Sequence, residues 1–144
     1  MGWFDFLWDD DEKSDIKIKH PKLGVLAFQD EGWWEGNKKI EDNEIGFSVD
    51  GTEEEVDNIL AEDCLEVLSN FNLYLNQAIK LISEELSISK EEVSSLFTPK
   101  SLSFFSGKRN KNIFYLWFDN KDDEYALWRV QFNNGKAAYV GRDT

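Results

Sequence analysis

Residues 52–86, TEEEVDNILAEDCLEVLSNFNLYLNQAIKLISEEL, decide the fold of this 144-residue chain. Apolar side chains recur there at steps of three and four, from Val56 to Leu86, which is the period of a helix with one buried face. Thr52 and Glu55 have the spacing of a capping box, which predicts that the helix begins at Thr52. Its poorest helix formers are SNFN at 69–72, so we expect one long helix bent there, with two helices as the alternative.

The sequence on either side of this stretch alternates with the period of two that is typical of strands. The strand patterns before it, within residues 16–50, are IKIKH, KLGVLAFQD, GWWEGNKKI and EIGFSVD. A second capping box, SKEE at 89–92, begins a short helix, and Pro99 ends the helical block of 52–97. The patterns after it, within 102–142, are LSFFS, NIFYLWFDN, EYALWRVQF and KAAYVGR.

These elements predict one domain, residues 1–144, of the α+β class. We expect a single mainly antiparallel sheet in the order strands, helical block, strands. Residues 133–135, NNG, have the composition of a tight hairpin turn between the last two strands. Strands 112–118 and 125–132 are apolar on both faces, so they need a cover on each side, and one helical block supplies only one.

The chain opens with MGWFDFLWDDDEK, apolar and then acidic over residues 1–12. Its apolar side chains predict a docking segment along one side of a short helix, made of Trp3, Phe4, Leu7 and Trp8. An anchor at a membrane surface is normally rich in lysine or arginine, whereas residues 9–12 are four consecutive acids. We therefore expect this segment to dock on protein, either on the chain's own sheet or on another chain.

The formal charge of −13, from 16 basic and 29 acidic residues, repels phosphate backbones and anionic headgroups. We expect no nucleic-acid partner and no membrane partner, since no run of about 18 apolar residues occurs either. The N-terminus lacks the basic start of a secretory signal. A single cysteine, Cys64, fits a reducing compartment, so we expect a cytoplasmic protein whose oligomeric state stays open.

Few residues could carry catalysis or hold a metal. The one histidine, His20, stands beside Pro21 in a predicted turn, and Cys64 lies on the apolar stripe of the helix, so neither is expected to act as base or nucleophile. The acidic turn 119–124, DNKDDE, lacks the spacing of a calcium loop. No glycine-rich phosphate motif occurs. We predict no catalytic residue, no metal and no cofactor.

Trp33, Trp34 and Glu35 are the candidate binding residues. Tryptophan is frequent at the centre of protein interfaces, and neighbouring residues of a strand face opposite sides. One of the two tryptophans is therefore exposed or lies under a second layer, whereas Trp117 and Trp128 are expected in the core. The same stretch offers an enzymatic alternative, because apolar packing raises the pKa of a carboxyl group such as Glu35 toward that of a general acid.

The motifs LG-x-L, at Leu23, Gly24 and Leu26, and W-x-G, at Trp34 and Gly36, precede the helical block and the C-terminal hairpin. Over residues 20–142 this order resembles a group of small bacterial domains of unknown function. The resemblance implies a bacterial cytosolic α+β domain and gives no activity or site residue.

Some acidic bacterial proteins of this size resemble toxin-neutralising immunity proteins, and this chain is similar to them in size and charge only. We expect a non-catalytic protein-binding module, in its most specific version an immunity-type inhibitor of a basic toxin, because opposite charge speeds association. The alternatives are a carboxylate-dependent hydrolase that acts on a sugar, with Glu35 as the acid, and a subunit of a structural homodimer.

Overall fold

The computed structural model describes residues 16–106 and 112–144, in which eight strands form one sheet with the spatial order of the chain. The strands are β1 (Lys17–His20), β2 (Gly24–Gln29), β3 (Trp33–Ile40), β4 (Asn43–Asp50), β5 (Phe97–Phe104), β6 (Ile113–Asn120), β7 (Leu127–Asn133) and β8 (Lys136–Asp143). Between β4 and β5 the chain forms α1 (Asn58–Ser69), α2 (Phe71–Leu86) and α3 (Lys90–Leu96). None of these helices is long and apolar enough to cross a membrane.

Neighbouring strands are antiparallel except for β4 and β5, which are parallel. A parallel pair needs a long crossover connection, and the three helices supply it. The structure thus joins two four-stranded meanders through one parallel contact. The predicted α+β class and mainly antiparallel sheet are confirmed. The predicted β7–β8 turn is confirmed too: Asn134 and Gly135 both have positive φ, 53° and 81°, which suits an Asn-Gly hairpin.

The helical block differs from the sequence prediction at its start. Thr52 does form a turn with Glu55, whose amide donates to Thr52 Oγ1 at 3.3 Å. The helix does not begin in that turn. Asp57 is the N-cap of α1 instead, and its Oδ1 accepts from the amides of Ile59 and Leu60 at 3.0 and 3.1 Å. The predicted helix start at Thr52 was wrong, because residues 51–56 form a tight turn that the antiparallel bridge between Gly51 and Val56 closes.

The helix also breaks where a bend was expected. Asn70 has φ −123° and ψ 32° and separates α1 from α2, so the block contains two helices there and not one long bent helix. The Asn70 side-chain amide donates to the Glu66 carbonyl at 3.0 Å, the kind of local bond by which asparagine competes with helix formation. By contrast, the predicted cap of α3 is confirmed, since Ser89 Oγ accepts from the Glu92 amide at 3.1 Å.

Strand β5 begins at Phe97, earlier than the sequence pattern at residue 102 predicted. Pro99 lies inside this strand, and the pairing with β6 shifts register between Pro99 and Ser101. Proline lacks the amide that the ladder uses, and an irregularity of this kind is where a sheet tolerates it. Proline therefore ended the helical block as expected, but it did not delay the strand.

All three helices pack on one face of the sheet. They contribute buried side chains such as Leu60, Ile82 and Val93 to a single core cluster with the sheet residues of that face. The sheet residues of this core include Leu26, Phe28, Trp34, Ile45, Phe47, Val49, Leu102, Phe104, Phe114, Leu116, Phe118, Val130 and Phe132. The other face of the sheet receives no described helix. The predicted docking segment, in residues 1–15, lies outside the described residues.

Candidate functional site

The face of the sheet opposite the helices carries a trough. Its floor is made of small side chains from the two parallel strands, Ser48 on β4 and Ser101 and Ser103 on β5. Its walls are Trp33 from β3, Trp117 from β6, and Phe105, which follows β5. We call this cavity, whose volume is about 440 Å³, the sheet trough. It falls within the usual size range of ligand pockets, roughly 300–1,000 Å³.

The strand register explains why the trough lies at this position. Glu35, Ser48, Ser103 and Tyr115 are consecutive partners across β3, β4, β5 and β6, so they form one row on the open face. The Ser48 and Ser103 hydroxyl oxygens lie 3.3 Å apart, and Trp117 Nε1 donates to Ser103 Oγ at 2.9 Å. Short side chains in the middle of the row and long ones at its flanks leave the space that forms the trough.

Glu35 is 2% exposed, although it lies on a face without a described helix. Its Oε1 accepts from Trp33 Nε1 at 2.6 Å, whereas Oε2 is buried without a hydrogen-bond partner among the described residues. Burial raises the pKa of Glu35 from 4.5 to about 7, the charge of Glu31 adds to the rise, and the bond from Trp33 opposes it. A substantial fraction of this carboxyl group is therefore protonated at neutral pH.

Two of the three predicted binding residues come together, and the third does not. Trp33 and Glu35 share the open face and are hydrogen-bonded to each other. Trp34 is 0% exposed in the core, where its Nε1 donates to the Thr52 carbonyl at 2.9 Å. Trp34 is thus corrected from a binding residue to a core residue, because alternation along β3 turns it toward the helices.

The sequence reasoning missed Trp117 and Phe105 as walls of the trough, and it expected Trp117 in the core. The alternation of β6 contained the signal: Phe114, Leu116 and Phe118 are buried, which leaves Tyr115 and Trp117 on the opposite face. The second face of this apolar strand is therefore the wall of a cavity. Which of its two faces meets the helices does not follow from the strand pattern alone.

Charged side chains around the trough are held by partners within the chain. The Arg129 guanidinium lies 5.5 Å from the ring centre of Tyr115 and 5.8 Å from that of Trp117, and it pairs with Asp143. Gly141 leaves room for it, since a Cβ there would lie 2.8 Å from Arg129 Cζ. Lys100 Nζ lies 3.3 Å from Asp119 Oδ2. These pairings leave the trough mainly apolar in character.

A second cavity, of about 370 Å³, lies between α1, α2, the end of β5, the start of β6 and the β7–β8 turn. Asp63, Glu66 and the ring of Tyr74 line it together with Phe104 and Phe114. We call it the acidic pocket. The Tyr74 hydroxyl donates to Glu66 Oε2 at 2.7 Å, and burial with this bond raises the pKa of Tyr74 to about 12.

The negative charge of Asp63 is destabilised by its surroundings in the acidic pocket. Its pKa is raised, first by burial and then by the negative charges of Glu66 and Asp57. In residues 16–106 and 112–144 no ion pair compensates Asp63. A positive charge placed in the pocket would relieve this repulsion, and the aromatic side chains of Tyr74, Phe104 and Phe114 line the same pocket.

The remaining titratable candidates have structural surroundings. His20 Nδ1 accepts from the amides of Lys22 and Leu23, both at 3.1 Å, and so closes the β1–β2 turn. Cys64 is 0% exposed, and burial raises the pKa of its thiol. Within the part of the chain that the structure describes, no three His, Cys, Asp or Glu side chains are grouped closely enough to hold a metal ion.

Comparisons with known proteins add no assignment, because no family model, curated protein or solved structure matches this chain significantly.

Proposed function

We propose that this protein is a non-catalytic protein-binding module of the bacterial cytosol whose partner is a basic protein. The observation that carries the proposal is the acidic pocket, where Asp63 and Glu66 stand beside aromatic rings without a compensating cation in the described residues. The net charge of −13 adds a long-range attraction toward such a partner. The one cysteine, Cys64, suits the reducing conditions of that compartment.

A lysine or arginine side chain fits the chemistry of the acidic pocket. Its methylene stem would lie along Phe104 and Phe114, and its charged end would lie between Asp63 and Glu66. Long basic side chains bind in this manner, with an apolar stem and a charged head. An immunity-type inhibitor of a basic toxin is the most specific version of the proposal, because electrostatic attraction mainly raises the association rate and sets partner choice.

The test is a titration of the full chain, labelled with ¹⁵N, with N-acetyl-arginine methylamide. We expect chemical shift changes at Asp63, Glu66 and Tyr74 that become smaller as salt is added. The uncharged N-acetyl-glutamine methylamide is the matched probe, and it should leave these signals in place. In the variant D63N/E66Q the response to the arginine probe should be lost, whereas the surface variant E85Q should keep it. A response that survives D63N/E66Q would contradict the proposal.

A second candidate is the carboxylate-dependent hydrolase that acts on a sugar, with Glu35 as the general acid. The observation in its favour is the pKa of Glu35, which burial raises to about 7, in the range useful to a general acid. Against it, Glu35 is 2% exposed and does not line the sheet trough. Turnover of aryl glycosides by the wild type that E35Q abolishes would favour this candidate over the binding module.

The apolar N-terminal segment can dock on the sheet of its own chain or on a second chain, through Trp3, Phe4, Leu7 and Trp8. The third candidate, a structural homodimer, uses the same residues between two chains. The molecular mass in solution, measured with the full chain and with a variant of these four residues, separates the two.

A further inference from the structure

Several residues on the open face of the sheet are buried, although no described helix covers that face. Glu35, Ser101 and Ser103 are 2%, 3% and 4% exposed, yet the described helices all pack on the opposite face. Strand β6 carries apolar side chains on both faces, and a strand of this kind is normally covered on both. A contiguous apolar patch, such as the aromatic walls of the sheet trough form, usually marks a surface that is covered by another part of the protein or by a partner.

We propose that residues 3–8 of the same chain, WFDFLW, fill the sheet trough and form the second layer of the fold. The segment brings five large apolar side chains, Trp3, Phe4, Phe6, Leu7 and Trp8. The trough is lined by the aromatic side chains of Trp33, Phe105 and Trp117, and aromatic rings pack well against one another. This inference goes beyond the proposed binding function, because it concerns the face of the sheet opposite the acidic pocket's helices.

The length of the connecting chain allows this placement. The Ile16 carbonyl accepts from the Phe28 amide at 2.9 Å, so the described chain begins beside β2. Residues 9–15 can span roughly 23 Å when extended, at about 3.3 Å per residue. From β1 to β4, where the trough floor begins, there are three strand spacings, or about 14 Å. The segment reaches the trough of its own chain without a second copy.

Charge complementarity favours the same path. Ile18 pairs with Leu26 of the core, so the alternating residues Lys17 and Lys19 lie on the open face. Neither lysine forms an ion pair with another described residue. The acids of residues 9–12 would pass this edge on the way to the trough, where opposite charges attract. An N–H group of the segment could also bond to the buried Glu35 Oε2, which lacks a described partner.

The first experiment measures distance within one molecule. A nitroxide label is attached to D10C in the full chain; Cys64 stays unlabelled, since it is 0% exposed and its thiol pKa is raised. We expect the label to broaden the indole N–H signals of Trp33 and Trp117. A second sample mixes protein that carries the nitroxide but no ¹⁵N with protein that carries ¹⁵N but no nitroxide. In this mixture the broadening should disappear. Broadening that persists in the mixture would mean that the segment docks on a second copy, and none in either sample would mean that it does not reach the trough; either result overturns the proposal.

The second experiment identifies the face. The variant W3S/W8S should move the indole N–H signals of Trp33 and Trp117, because the docked rings would no longer lie above them. Trp34 in the core and Trp128, which donates to Asp123 Oδ2 at 2.9 Å, are internal controls and should not move. Signals that shift only at the controls, or nowhere, would overturn the inference. Both experiments are independent of the arginine titration, so this inference and the proposed function can fail separately.

Discussion

The raised pKa of the Glu35 carboxyl group predicts how the stability of the folded protein depends on pH. Its pKa is about 7 in the folded protein and 4.5 when exposed. Below pH 4.5 it is protonated in both states; between pH 4.5 and about 7 the unfolded chain binds fewer protons than the folded one, so folded stability falls as pH rises. Above pH 7 the loss of folding stability stays constant. It amounts to roughly 3 kcal/mol, since each pKa unit of difference between the folded and unfolded states is worth about 1.4 kcal/mol.

The variant E35Q should remove this loss. Glutamine keeps an oxygen for the bond from Trp33 and carries no charge, so E35Q should be more stable than the wild type at pH 8, by up to roughly 3 kcal/mol. At pH 5 the two should be close. Urea unfolding at both pH values measures the difference, and E85Q, on the exposed side of α2, is the control. Equal stability of E35Q and the wild type at pH 8 would show that Glu35 is ionised at little cost.

At this scale the sequence could predict that Trp33 and Glu35 belong together, since residues two apart in a strand share a face. It could not predict which face the helices cover. For that reason Trp34 was kept as a candidate binding residue and Trp117 was expected in the core. The orientation of a strand pattern depends on contacts with residues far along the chain, and its alternation alone is symmetric. The acidic pocket was not predictable either, because Asp63 and Phe114 are brought together only by the packing of α1 against the sheet.

The N-cap of α1 leads to a prediction about the stability of this helix. Two residues have the chemistry of an N-cap, but only Asp57 accepts from helical amides, those of Ile59 and Leu60. D57A should therefore lower the free energy of unfolding by about 1 kcal/mol, the usual loss for a removed cap. T52A, which removes a bond in the preceding turn, should change it by less than about 0.5 kcal/mol. Chemical denaturation of both variants measures this, and a larger loss in T52A would restore Thr52 as the cap.

Local signals predicted elements well wherever a local contact determines them. Ser89 caps α3 and Asn134–Gly135 turns the last hairpin, both as expected, since each involves neighbours in sequence. The start at Thr52 failed because a bridge from Gly51 to Val56 competes with the first helical turn. Similarly, β5 extends back to Phe97 because pairing with β6 outweighs the local effect of Pro99.

At the scale of the whole molecule, the parallel pair of β4 and β5 joins two meanders into one sheet. The sequence indicated strands on both sides of a helical block, but strand periodicity carries no information about which strands become partners. On the helix side of this parallel pair, Phe47 of β4 lies beside its partner Leu102 of β5, and the two are 1% and 0% exposed. Because the core cluster runs through this junction into both meanders, neither meander has a core of its own.

This continuity predicts that the two meanders unfold together. L102A removes a buried side chain at the junction and should lower the free energy of unfolding by about 2–5 kcal/mol, whereas V25A, at a position 51% exposed, should change it by less than about 0.5 kcal/mol. With 5-fluorotryptophan, Trp34 reports on the first meander and Trp128 on the second. In L102A both ¹⁹F signals should lose native intensity at the same, lower urea concentration, as one cooperative transition requires. If the Trp34 signal kept the midpoint of the wild type while that of Trp128 fell, the meanders would be separate folding units, because Leu102 belongs to the second meander. The junction would then be a contact between them and not part of one core.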